Sequence, residues 1–184
     1  MAAKLAALLL LAFFAVASSA AALPTQTKLT KGGLGDSGME CVYTVYVRTG
    51  SIWKAGTDAN ITLELKTATG NGVLIEDLPR WAGLMPAGHS YFERGSLDIF
   101  SGRGPCLGAA PCRMRLASDG TGPHHGWYCN YVEVTVTGPH RGCKQQLFTV
   151  EQWLANDAPP YKLEAVVDQC PRNDAAAADG VAQA

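Results

Sequence analysis

A hydrophobic period of two constrains this chain more than any other feature. Val42, Thr44 and Tyr46 alternate with Tyr43, Val45 and Val47; Ile61, Leu63 and Leu65 alternate with Thr62, Glu64 and Lys66; residues 131–136 alternate likewise. A strand sends successive side chains to opposite faces, so these runs build half-buried strands and give no helix a continuous apolar stripe. Further strand runs are read at residues 73–78, 97–100, 113–117, 146–150 and 161–167, each bounded by Gly, Pro, Asn or Asp. About eight short strands with no long helical pattern predict an all-β fold, an antiparallel β-sandwich. Only residues 152–155 read as a turn of helix.

The flanks carry no such alternation. Residues 1–22 have one early cation, Lys4, then the apolar run 5–16, then the small residues 17–22. This is the layout of a secretory signal peptide, with cleavage expected after Ala20 or Ala22, and the run is shorter than the ~20 residues of a spanning helix. Part of the 47% hydrophobic content belongs to this leader. Residues 23–40 read as a flexible leader, 41–170 as the folded domain and 171–184 as a disordered tail. The 17% charged residues and net charge of −1 argue against a polyanion-coating, nucleic-acid-binding protein. A soluble monomer of the secretory pathway, in the endoplasmic reticulum lumen or the extracellular space, is expected.

All six cysteines lie beyond residue 40. In an oxidising compartment an even count favours disulfides, although six cysteines allow 15 connectivities. A zinc site is the weaker reading, since no Cys-x-x-Cys pair exists and His124 and His125 are adjacent. If consecutive strands run antiparallel, the loops alternate between the ends of the sandwich. One end then gathers residues 50–60, 80–95, 118–126 and 151–160. The other gathers Cys41, the 69–72 turn, Cys106, Cys112, Cys143 and Cys170. This parity suggests Cys41 with Cys170 as a clamp on the domain termini, Cys106 with Cys112 across one loop, and Cys129 with Cys143 by elimination.

Four blocks carry a resemblance: Tyr43-Thr-Val-Tyr-Val-Arg-Thr-Gly50, Ala55-Gly-Thr-Asp-Ala-Asn-Ile61, Phe92-Glu-Arg-Gly-Ser-Leu-Asp-Ile-Phe100 and Gly126-Trp-Tyr-Cys-Asn-Tyr-Val-Glu-Val134. In this order they resemble the PLAT, or lipoxygenase-homology, domain. Together with Trp81-Ala-Gly-Leu-Met85 and the run from Asp119 to Tyr128, they are similar to the stand-alone, stress-associated PLAT proteins of plants. The resemblance implies two four-stranded sheets, a secretory-pathway location and a non-catalytic role in abiotic stress. In larger relatives the module helps carry an enzyme to membrane, often with calcium.

The resemblance makes Gly56-Thr57-Asp58 the metal-contact turn. The parity argument adds Glu93 and Asp119, with Asn60 a further oxygen donor, and so few carboxylates predict a weak calcium site. Each also has a local reading, Asp58 as a turn former that caps its own backbone and Glu93 and Asp119 as structural residues. Trp53, Lys54, Trp81, Leu84 and Met85 form the expected membrane or partner contact, because indole suits headgroup depth and lysine meets anionic phosphate. Trp81 has a second reading, as part of a satellite core. Asn60-Ile61-Thr62 is an N-glycosylation sequon. Ser90, in Gly88-His89-Ser90-Tyr91-Phe92, imitates a lipase nucleophile, but Phe92 stands where a nucleophile elbow needs glycine. The expected function is a non-enzymatic module binding membrane lipid, protein partners or both with calcium's help. The alternative is a purely protein-interaction module.

Overall fold

The computed structural model describes residues 28–30 and 39–171. The expected signal peptide and the tail after Pro171 lie outside the described residues. Period two in the sequence becomes period two in burial. In β2 (Glu40–Thr49), Cys41, Tyr43, Val45, Val47 and Thr49 face inward, and in β3 (Ile61–Lys66), Ile61, Leu63 and Leu65 do so. The remaining strands are β4 (Gly72–Ile75), β5 (Leu97–Pro105), β6 (Arg113–Ser118), β7 (Trp127–Gly138), β8 (Arg141–Leu154) and β9 (Glu164–Asp168).

Two antiparallel sheets pack face to face. One runs β5-β2-β7-β8; the other runs β4-β3-β6-β9 and gains an outer strand, β1 (Lys28–Thr30), beside β4. These three residues come from the segment expected to be a flexible leader, and they pair with the otherwise open backbone edge of β4. Tyr43, Phe100, Val132, Val134 and Phe148 from one sheet meet Leu63, Leu65, Ile75, Met114 and Leu116 from the other, all essentially without exposed surface. Each such side chain contributes roughly 1.5–3 kcal/mol by leaving water.

Two local expectations change. Residues 152–154 extend β8 instead of coiling, because Trp153 and Leu154 pair with Tyr128 and Trp127 across the ladder. The helical turn lies elsewhere, at α1 (Leu78–Ala82), where Asp77 caps the Arg80 N–H at 2.9 Å and Pro79 sits in the first turn. Trp81 of α1 packs against Gly102, where a Cβ would stand 2.5 Å from the indole.

All three expected cysteine pairings are overturned. Cys41 bonds Cys106, with Cα atoms 4.9 Å apart, and Cys112 bonds Cys170 at 4.7 Å. Sheet membership decides this. Cys106 follows β5, the neighbour of β2, and its N–H donates to Met39 O at 3.1 Å. Cys112 precedes β6, whose neighbour is β9, and Gln169 N donates to Cys112 O at 2.8 Å. A Cys41–Cys170 bridge would join strands of different sheets. Cys129 and Cys143 are free, one buried and one exposed. Cys129 pairs with Gln152 near one end of the β7–β8 ladder, while Lys144, next to Cys143, pairs with Val136 near the other. That separation is about 25 Å at the rise of a strand.

Candidate functional site

The loops expected to share one end do so, and backbone hydrogen bonds sew them together. Gly95 N donates to Gly50 O at 2.9 Å, Thr57 N to Phe92 O at 3.2 Å, and Asp58 N to His124 O at 3.2 Å. Thr57, nearly buried, adds its hydroxyl to His124 O at 2.7 Å and accepts Ala59 N at 3.1 Å. Gly56 is required between them, since a Cβ there would meet Arg94 N at 2.9 Å and Phe92 O at 3.1 Å. Behind this seam the fully buried Asp98 takes hydrogen bonds from His89 Nε2 at 2.6 Å, Phe92 N at 2.8 Å and Ser96 Oγ at 2.8 Å. Its carboxylate fixes the 89–96 loop. Ser90 is exposed, and its neighbour His89 is directed to Asp98.

On the outer side the seam frames an open groove of ≈ 590 Å³ lined by Trp53, Lys54, Asp58, Glu93, Arg94 and His124, among others. Trp53 is 76% exposed, and the Arg94 guanidinium lies 5.9 Å from its ring centroid, within cation–π range. His124 Nδ1 sits 2.9 Å from Asp58 Oδ2, both side chains largely in solvent. The groove therefore presents an indole with two cations, Lys54 and Arg94, and two exposed carboxylates, Asp58 and Glu93.

Of the residues expected to hold metal, Gly56, Asp58 and Glu93 come together here. Asn60 and Asp119 do not line the groove. Asp119 Oδ1 accepts Asn60 N at 3.1 Å, Thr121 N at 3.0 Å and Thr121 Oγ1 at 2.9 Å, and Asn60 Nδ2 donates to Glu76 O at 3.2 Å. Slight burial pushes the Asp119 carboxyl up, but these hydrogen bonds outweigh it and hold the carboxyl below its usual range. Both residues lock turns. Asn60 of the sequon is exposed and does not line the groove.

The contact residues divide likewise. Trp53 and Lys54 line the groove, but Trp81 is 4% exposed and belongs to the core. Leu84 is exposed and Met85 half-buried, and neither lines the groove, because the chain after α1 folds back on β5 through the Gly83–Phe100 bridge and the bond from Leu84 N to Ile99 O at 2.9 Å. Arg94 and His124 were missed as groove residues. Their partners, Trp53 and Asp58, are distant in sequence, and only loop packing unites them.

Calcium takes six to eight oxygens. Among the described residues no group of three or more His, Cys, Asp or Glu side chains is gathered to hold a metal. Of the carboxylates expected to hold calcium, only Asp58 and Glu93 line the groove, and Asp58 Oδ2 is paired with His124.

Residues 43–167 match the PLAT/LH2 domain family. PLAT domain-containing protein 1 of Arabidopsis thaliana is 56% identical over 132 residues, 72% of this chain and 73% of that protein. PLAT domain-containing protein 2 of the same plant is 53% identical over 138 residues, 75% of each. The fold is shared with a coral 8R-lipoxygenase, described as calcium-activated via a C2-like domain, at a TM-score of 0.51 and 24% identity over 69% of this chain and 16% of that one. The PLAT domain is a non-catalytic module. With its sandwich and the extent of the match, the chain belongs to the PLAT/LH2 domain family.

Proposed function

We propose that this protein is a non-catalytic module of the secretory pathway whose loop-end groove docks on anionic membrane lipid, with calcium assisting. The observation that carries this reading is Trp53, exposed at a loop tip with Lys54 and Arg94 beside it. An indole enters the headgroup layer, and the two cations meet lipid phosphate. Asp58 and Glu93 would hold the ion, which when bound supplies positive charge shared between their carboxylates and a phosphate. The coral enzyme's calcium activation supports this role by likeness of fold. The disulfides Cys41–Cys106 and Cys112–Cys170 suit an oxidising compartment, and likeness to the plant relatives motivates the stress-response reading.

The test is co-sedimentation of the full chain with phosphatidylserine-containing vesicles, in calcium or chelator. Wild type is expected in the pellet with calcium, reduced by Asp58→Ala and lost with Trp53→Ala. Wild type left in the supernatant under both conditions would refute lipid docking and favour a protein partner for the same groove.

A further inference from the structure

The opposite end of the sandwich holds a second cavity, of ≈ 200 Å³. Residues 106–112 arch over the ends of β2 and β7, tied down by the Cys41–Cys106 bridge and by Arg141 Nη1, which donates to Leu107 O at 3.3 Å. Under the arch, Leu107, Ala109, Ala110 and Val136 supply apolar walls. Gly108 and Gly142 would meet no atom within 4 Å if given a Cβ, whereas Gly138 must stay glycine because its Cβ would lie 2.4 Å from Cys41 Sγ.

The charge on this cavity has one sign. Arg141 and Lys144 line it, and no acidic residue does. Lys144 pairs with Val136, which puts it on the side of β8 that carries Phe148 further along, and here, beyond the packed core, its side chain is exposed at the cavity rim. No ion pair to Lys144 is found among the described residues. A lysine on an edge strand also guards against foreign pairing, but that role needs no cavity beside it.

We propose that this cavity binds a small amphiphilic carboxylate, its apolar body under the 106–112 arch and its anionic head on Lys144. A dry apolar cavity of about 150 Å³ accepts benzene, so this one suits a body of roughly six to eight carbons. Burial of that body drives binding, while the lysine selects the sign of the head.

Isothermal titration of the full chain with octanoate, octylammonium and octanol tests this. Octanoate should bind saturably, with octanol weaker and octylammonium absent. Lys144→Glu, on an exposed side chain, should weaken octanoate at least about tenfold. Val136→Trp, or Ala110→Phe should the first fail to fold, should abolish binding by filling the cavity, and Trp53→Ala at the far end should change nothing. No octanoate binding, equal binding of octylammonium, or binding that survives both Lys144→Glu and a folded cavity-filling variant would overturn the proposal. Because Trp53 plays no part, failure here leaves the lipid-docking groove standing.

Discussion

Asp98 has no exposed surface, yet its carboxylate organises the loop that carries Glu93 and Arg94. Removing it leaves the Phe92 N–H and its other donors facing a void, so Asp98→Ala should cost about 3–5 kcal/mol in urea unfolding and loosen the groove. Trp53→Ala removes a side chain that mostly faces water and should change stability by no more than ~0.5 kcal/mol. Alkali acts on a different pair. Burial raises the Tyr43 phenol from 10.0 to about 12, its hydroxyl donating to Pro105 O, and burial with the Glu151 charge raises the Cys129 thiol above its ordinary 9.0. Both groups ionise first in the unfolded chain, so the stability they confer is complete below about pH 9 and declines as pH rises toward 12. Tyr43 alone accounts for about 2–3 kcal/mol of this loss. The urea midpoint, followed with Cys143 alkylated, should therefore fall between pH 9 and 11.5 in wild type, and less steeply in Tyr43→Phe.

At the scale of elements, strands were legible wherever one face is buried, as in β2, β3 and β7, because alternation and burial coincide there. The ends of β8 were not, since Gln152, Trp153 and Leu154 owe their extended state to partners on β7. A local signal did exist for α1: Asp77 followed by Leu78-Pro79 is a cap and first turn, visible without tertiary contacts. Disulfide connectivity was hidden for another reason. Parity says at which end a cysteine lies, whereas pairing also requires knowing which sheet each strand joins. The observed bridges close spans of 65 and 58 residues, so breaking either with Cys→Ser should cost roughly 2–4 kcal/mol. Thiol titration should find one reactive cysteine in the native protein, Cys143, and a second, Cys129, only after denaturation. A count of zero in denaturant would restore a third bridge.

For the whole molecule, antiparallel parity foretold that residues 50–60, 80–95, 118–126 and 151–160 would gather at one end, because the direction of each strand fixes the end at which its loop emerges, and the first three are joined there by backbone hydrogen bonds. It did not foretell which side chains line the resulting groove. Asp119 turned to the Asn60 and Thr121 N–H groups and Asn60 to Glu76 O, while Arg94 reached Trp53 and His124 reached Asp58. Those choices depend on rotamers and loop packing that no local pattern encodes. The two ends of the sandwich thus differ in character: one offers an aromatic tip and mixed charge to a surface, the other a small cationic-rimmed cavity. The claim that the Trp53 tip enters lipid is tested most directly by fluorescence quenching on phosphatidylserine vesicles containing brominated acyl chains. With calcium, wild type should lose a component of tryptophan emission that Trp53→Phe lacks, and quenching should be strongest for bromines near the headgroup. Equal quenching of wild type and Trp53→Phe, or none in either, would contradict the account.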